Sequence, residues 1–182
     1  MKRILVWTGS ARQNGNSEML ADAFIKGAQA AGHHVDKISL AKMAIKGCVA
    51  CNKCWDGKCN CVMSDDMRMI EPLLEMADVL VIATPLYWSL FPAQVKAPID
   101  RLYEYDPVNG GKKLSIKESV LLACGETENA DDFKLIKDAF TMISEFNGMK
   151  VRDMITVPAV NYKGDIEGNE ALARAEELGR NI

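Results

Sequence analysis

The fold is decided by residues 4 to 27, which read ILVWTGSARQNGNSEMLADAFIKG. The continuous apolar run from Ile4 to Trp7 is typical of a strand buried on both faces. Apolar residues then recur with the i, i+3, i+4, i+7 spacing of an amphipathic helix, at Leu20, Ala23, Phe24 and Gly27. We expect this helix to end near Gly32. A buried strand followed by a loop and a helix predicts the first β-loop-α unit of a parallel sheet.

The same alternation continues along the chain. Two further strong strands are predicted at 79–83 and 120–123, and two weaker ones at 35–40 and 151–157. Because strands and helices alternate throughout, we expect a right-handed α/β sheet covered on both faces. Further helices are predicted at 65–76, at 92–105, from Phe133 to a stop at Asn147-Gly148, and at 169–179.

Two prolines interrupt these helical patterns. Pro72 and Pro98 each lie inside a predicted helix, where proline removes a hydrogen bond and costs about 3 kcal/mol. We therefore expect a kink or a late helix start at both positions.

Length and charge narrow the function. The 182 residues suit one domain, residues 1 to 182, with a Cys-rich loop at residues 47 to 63. The net charge of -3, without a basic block, argues against nucleic acid or membrane partners, so a small molecule is the expected ligand. The first apolar run is too short for a secretory segment, which favours a cytoplasmic location.

The loop GSARQNGNS, residues 9 to 17, is a candidate anion site. It precedes a helix N-terminus, contains no carboxylate, and adds hydroxyl, amide and guanidinium groups from Ser10, Arg12, Asn14, Asn16 and Ser17. The alternative is a capped turn in which Asn16 or Ser17 satisfies the helix start. The Walker and dinucleotide patterns both fail, because Gly15 is not followed by Lys and no glycine lies between Gly9 and Gly15.

The loop after the third strand should face the same ligand. Residues 84 to 101 read TPLYWSLFPAQVKAPIDR, and Tyr87, Trp88 and Phe91 offer flat apolar surface to a ring such as an isoalloxazine. Ordinary packing or a subunit contact is the alternative for these aromatic residues, and Trp55 could also serve a subunit contact.

These two loops resemble those of the NADPH-dependent FMN reductase family of flavodoxin-like proteins. The resemblance implies a flavodoxin-like three-layer sandwich with a five-stranded parallel sheet in the order 2-1-3-4-5, which binds FMN. By matching position, the end of the fourth strand, from Ala123 to Glu126, would form a third wall of the site. The candidate cofactor-binding residues are Ser10, Arg12, Asn14, Asn16, Ser17, Pro85, Leu86, Tyr87, Trp88, Ser89, Cys124 and Gly125.

Five of the six cysteines lie between residues 48 and 61. Their C-x2-C-x2-C spacing suits three ligands of a 4Fe-4S cluster, and this compact pattern resembles that of the iron-sulfur flavoproteins. The candidate ligands are Cys48, Cys51, Cys54 and Cys59, with Cys61 as the alternative fourth. Reduced thiols without a metal, a zinc site or a redox disulfide remain open.

The resemblance implies an FMN-dependent oxidoreductase in which the flavin, rather than a catalytic side chain, carries the chemistry. Electrons would come from NAD(P)H or from an iron-sulfur donor such as a ferredoxin-like protein, and would pass to a small acceptor such as a quinone. A homodimer or homotetramer is expected. The rivals are a non-enzymatic electron carrier, and a metal-thiolate or thiol-sensing module with a vestigial flavin site.

Overall fold

The computed structural model describes residues 1–56, 60–106 and 108–182, and five parallel strands form one sheet within them. The strand order is β2-β1-β3-β4-β5, which confirms the flavodoxin-like order that the resemblance implied. The strands are β1 Arg3–Thr8, β2 His34–Ser39, β3 Val79–Pro85, β4 Glu118–Cys124 and β5 Lys150–Val157. The helices are α1 Asn16–Ala30, α2 Met67–Met76, α3 Ala93–Arg101, α4 Lys134–Phe146 and α5 Glu170–Arg180.

Alternate residues of the central strands face two separate cores. In β1, Leu5 and Trp7 pack under α2, α3 and α4, whereas Ile4 and Val6 pack under α1 and α5. Both faces of the sheet are therefore buried, which explains why the strong strands read as continuous apolar runs rather than alternating ones.

The helix ends follow the local sequence. Gly32 has a φ of 82° just after α1, and Gly148 a φ of 71° just after α4, so both predicted stops are confirmed. The side chain of Asn169 caps α5 by accepting a hydrogen bond from the Ala171 amide.

Both prolines lie inside their helices. Pro72 and Pro98 each occupy the sixth position, so the helices begin well before them; of the two expected outcomes, a kink or a late helix start, the late start is wrong. Buried side chains on either side of each proline, such as Ile70 and Leu74 in α2, are each worth about 1.5–3 kcal/mol, which offsets the cost of the proline. After Arg101 the chain continues as a short 3-10 helix over Leu102–Tyr105.

None of the helices in the described ranges has the length and apolarity needed to span a bilayer.

Candidate functional site

A cavity of about 520 Å³ opens at the carboxyl edge of the sheet. The loops that follow β1, β3, β4 and β5 meet there, as expected where the strand order reverses in a parallel sheet. Eleven of the twelve residues that the sequence nominated lie in its wall, although they come from three separate loops. These are Ser10, Arg12, Asn16, Ser17, Pro85, Leu86, Tyr87, Trp88, Ser89, Cys124 and Gly125.

Asn14 is the residue that the cavity wall does not include. It adopts a left-handed conformation with a φ of 52°, and its amide donates to the Glu18 carboxylate at 2.6 Å. This bond satisfies a backbone donor ahead of the helix, so Asn14 shapes the loop from outside the cavity. Its nomination as a cofactor-binding residue stays a prediction.

The N-terminus of α1 forms one end of the cavity and carries no side-chain cap. Its N-cap residue is Gly15, so the alternative in which Asn16 or Ser17 caps the helix does not hold. The first amides of a helix have no partner within it, and Ser17 is buried with no hydroxyl hydrogen bond among the described residues. This end of the cavity therefore offers several donors to an anion.

The Asn16 side chain is already committed to the protein. Its amide group donates to the Tyr162 carbonyl at 2.9 Å, and its oxygen accepts from the Gly164 amide at 3.1 Å. Any contribution of Asn16 to an anion must therefore come from its backbone amide rather than from its side chain.

A strained turn forms the opposite end of the cavity. Tyr87 and Leu90 exchange backbone hydrogen bonds of 3.0 Å, and between them Trp88 and Ser89 have φ values of 49° and 61°. Two left-handed residues in such a turn cost about 1–2 kcal/mol each when neither is glycine. Trp88 is 99% exposed and Tyr87 is half exposed. Strain of this kind persists where the surroundings impose it, which makes this turn a candidate ligand contact.

Phe91 does not join this aromatic pair. It is 8% exposed and packs in the core with Val95, outside the cavity wall. Its nomination as a ring contact or an exposed subunit contact is therefore wrong, because the chain turns inward after Leu90 to begin α3. Trp55 is half buried, since its ring packs against Tyr103 with ring centroids 4.3 Å apart.

The end of β4 forms the third wall. The Leu86 amide donates to the Cys124 carbonyl at 2.7 Å, which joins the second wall to the third. Burial raises the pKa of Cys124 to about 12, so this wall presents a neutral thiol at ordinary pH. A Cβ on Gly125 would lie 3.2 Å from Leu86 and Phe133, so only glycine fits here without displacement.

Seven further residues in the cavity wall were not nominated as binding residues. Gly15 lies within residues 9–17, and Glu126, Thr127 and Asp132 follow β4; a hydrogen bond joins the side chains of Thr127 and Asp132. Val160, Asn161 and Lys163 come from the loop after β5. No local motif marks that loop, but its place could have been inferred from the sheet order, because all parallel strands end at the same edge.

The comparisons with known proteins agree with this geometry. The family model described as NADPH-dependent FMN reductase matches residues 2–158. The chain belongs to this family. It is therefore an oxidoreductase of a family that binds FMN and uses NADPH as electron donor.

Individual proteins similar to this FMN reductase family member share between 22% and 35% of the aligned residues with it. An iron-sulfur flavoprotein of Methanosarcina thermophila is 30% identical over 166 residues, covering 90% of this chain and 81% of that protein. Another, from Archaeoglobus fulgidus, is 35% identical over 97 residues, and the match spans 53% of this chain but only 44% of the relative's own length. A solved NAD(P)H:quinone oxidoreductase from Methanothermobacter marburgensis shares the fold, with a TM-score of 0.77 at 22% identity and coverage of 99% and 95% of the two chains.

The residues of this FMN reductase family member fit the cofactor. FMN needs a seat for a phosphate dianion at one end and a flat apolar surface at the other. The uncapped α1 N-terminus with the buried Ser17 hydroxyl suits the first, and Tyr87 with Trp88 suits the second.

The described cysteines of the Cys-rich loop do not form a ligand set. Cys48 and Cys51 are exposed, and Cys54 and Cys61 are half buried. Cys59, the nominated fourth ligand, lies outside the described residues. Within the described ranges, no three His, Cys, Asp or Glu side chains are placed to hold a metal ion.

The surroundings of the Cys54 thiol favour its protonated form. Burial raises the pKa of the Cys54 thiol, and negative charge on Cys61, Glu104 and Cys48 raises it further. Cys54 therefore stays a protonated thiol more readily than an isolated cysteine does when no metal is bound.

The two ends of the Cys-rich loop are fastened together at its base. Asp65 accepts hydrogen bonds from the Lys46 amide at 3.1 Å and from the Arg101 guanidinium at 2.9 Å. Arg101 also donates to the Lys46 carbonyl at 3.2 Å, and Asp66 accepts from the Ala44 amide at 2.7 Å. Residues 44–46 and 65–66 are thus held together on α3, and the cysteines lie on the chain between them.

Proposed function

We propose that the cavity holds FMN with its phosphate at residues 9–17 and its ring beside Tyr87 and Trp88. The observation that supports this most directly is the pairing of an uncapped helix N-terminus and an aromatic turn at opposite ends of one cavity. The Ser17 hydroxyl and the amides at the start of α1 would bind the phosphate, and Arg12 would add positive charge.

We further propose that this chain catalyses the reduction of a small acceptor such as a quinone by NADPH or NADH. In the overall reaction, NAD(P)H and a proton convert the quinone to the hydroquinone and release NAD(P)⁺. Bound FMN would supply the redox chemistry. The protein's own groups would orient the ring, and Cys124 would present a neutral thiol rather than a charge to it.

Steady-state oxidation of NADPH and NADH tests this proposal. We expect FMN-dependent turnover when a quinone is the acceptor. A protein that binds FMN but turns over with neither nicotinamide would instead be an electron carrier between protein partners, with a ferredoxin-like donor. A protein that takes up no added FMN would support the metal-thiolate or thiol-sensing interpretation and would refute the proposal.

We also propose that Cys48, Cys51, Cys54 and Cys59 bind a 4Fe-4S cluster. The names of the Methanosarcina and Archaeoglobus relatives favour this interpretation. The described thiols do not lie close enough together to share a metal ion. Binding of a cluster would therefore require the Cys-rich loop to change conformation, while the hydrogen bonds between residues 44–46 and 65–66 hold its two ends together.

Iron and sulfide analysis of anaerobically purified protein tests the cluster. We expect Cys51→Ser to lose iron and sulfide while it keeps FMN. The matched variant Cys61→Ser should keep the iron, the sulfide and the FMN. Absence of iron from the wild type, or unchanged iron in Cys51→Ser, would leave the reduced thiols as the better interpretation.

Location and assembly complete the proposal. A cytoplasmic location suits the five free cysteines of the described residues, which would remain reduced there.

A homodimer or homotetramer is proposed because Trp88 exposes nearly its whole ring, and sedimentation of the purified protein tests this assembly.

A further inference from the structure

The loop between β5 and α5, residues 158–169, forms part of the cavity wall although no local sequence pattern marks it. Val160, Asn161 and Lys163 all line the cavity. These residues stand beside the phosphate loop, because Arg12 donates to the Asn161 carbonyl and Asn16 donates to the Tyr162 carbonyl.

Two side chains fix the shape of this loop around Lys163. The Asn16 oxygen accepts from the amide of Gly164 at 3.1 Å and from that of Ile166 at 3.4 Å. On the other side of Lys163, the Asp165 carboxylate accepts from the Asn161 amide at 2.9 Å and the Tyr162 amide at 2.6 Å. The backbone of Lys163 is therefore held next to the N-terminus of α1.

Lys163 is a cation without a protein partner in the described residues. Its ammonium group makes neither an ion pair nor a hydrogen bond there, whereas the Arg12 guanidinium already donates to the Asn161 carbonyl. The two cations that line the cavity are therefore Arg12, within residues 9–17, and Lys163, in the loop after β5. The side chain of Asn16 joins these two segments by hydrogen bonds. An ammonium on a flexible stem that lines the same cavity as a set of backbone donors is well suited to bind a phosphate as a point charge.

We propose that Lys163 binds the phosphate of FMN, and that Asn16 is a positioning residue that delivers it. This inference rests on the proposed function, because it takes the phosphate seat at α1 as given. The phosphates of NADPH share the same chemistry and could also reach Lys163, so the experiment must separate the two sources.

The decisive comparison is between FMN and riboflavin, which lacks the phosphate. Flavin fluorescence titrations of the apoprotein would give both dissociation constants for the wild type, Lys163→Met and the matched control Lys150→Met. Lys150 is exposed at the opposite end of β5, away from the cavity. We expect Lys163→Met to weaken FMN binding about threefold to tenfold, to leave riboflavin binding unchanged, and to lose this difference in high salt.

Asn16→Ala tests the positioning role. We expect it to reduce the preference for FMN over riboflavin, with little further loss when Lys163→Met is added, because both changes remove the same contact. Hydrogen exchange at the amides of Gly164 and Ile166 should also accelerate, since each loses its acceptor.

Three outcomes would count against the inference. An unchanged ratio of FMN to riboflavin affinity in Lys163→Met would overturn it, and a higher KM for NADPH with that ratio unchanged would assign Lys163 to the nicotinamide substrate. Additive losses in the double variant would show that Asn16 does not act through Lys163. By contrast, a wild-type protein that binds FMN no better than riboflavin would refute the phosphate seat in the proposed function itself.

Discussion

Asp65→Asn should strongly destabilise the base of the Cys-rich loop. The substitution keeps the shape of the side chain but removes the charge that faces Arg101 at 2.9 Å. The side chain of Arg101 is 1% exposed and that of Asp65 is 7% exposed, so solvent cannot replace the lost carboxylate. The Nε and Nη2 donors of Arg101 already have no partner in the described residues.

The size of the effect follows from leaving one charge buried alone. Removing one partner of a buried ion pair typically costs about 3–5 kcal/mol. The lower end applies here, because the amide oxygen of the substituted side chain would still accept from the Lys46 amide, so we expect about 3 kcal/mol. For a chain of this length, that loss should lower Tm by roughly 6–12 °C.

Urea unfolding at pH 7 measures this loss, and two further variants make it specific. The control Asp66→Asn, whose native carboxylate accepts from the Ala44 amide but pairs with no buried cation among the described residues, should cost about 1 kcal/mol or less. Adding Arg101→Met to Asp65→Asn should restore part of the stability, because it removes the stranded charge. Equal stability of Asp65→Asn and the wild type would refute the reasoning.

The pH dependence provides an independent check. Burial raises the pKa of Asp65, but hydrogen bonds from the Lys46 amide and the Arg101 guanidinium outweigh it and leave the pKa below its usual value. Stability from this group is therefore complete above the unfolded pKa of about 3.9 and is lost as the pH falls through the lower folded value. Asp65→Asn should lack this part of the acid transition.

Three further predictions concern residues 9–17 and the free cysteines. Ser17→Asp should weaken FMN binding at least tenfold, or by roughly 1.4 kcal/mol, because a buried carboxylate would repel the phosphate. Flavin titration measures this loss, with Ser64→Asp as the control at an exposed position. Undiminished FMN affinity of Ser17→Asp would contradict the proposed phosphate site. Gly9→Ala should cost about 1–3 kcal/mol in urea unfolding, because the new Cβ would lie 2.2 Å from the buried Val95 side chain. In native protein without metal, alkylation at pH 8 should modify the exposed thiols of Cys48 and Cys51 well before that of Cys124, which is buried and has a pKa of about 12. Mass spectrometry measures the rate at each cysteine. Equal rates would mean that Cys124 is not buried.

Much of the architecture could be read from local patterns. The apolar run of β1 and the spaced stripe of α1 are set by which faces must be buried, because burial of both faces of a strand gives a continuous apolar run and burial of one face of a helix gives a periodic stripe. The two cavity ends at residues 9–17 and 85–89 were also foreseen, since parallel strands place their following loops at one edge.

Two side chains in the segments that the sequence singled out are used by the protein itself. Asn16 bonds to the loop after β5, and Phe91 packs in the core. A polar or aromatic residue in a loop can serve a ligand or the fold, and its residue type does not decide between them. The choice depends on which distant groups come within bonding distance.

By itself the sequence determined the order of strands and helices along the chain, the absence of a carboxylate from residues 9–17 and the density of thiols at residues 48–61. Each of these features depends on residues that lie close together in the chain, so it can be recognised without the tertiary structure. Only the tertiary structure decided that Asn16 would hold the loop carrying Lys163, and that Arg101 would be buried against Asp65 at the base of the cysteines. Such pairings join residues far apart in the chain, so they exist only once the sheet and its helices have brought those residues together.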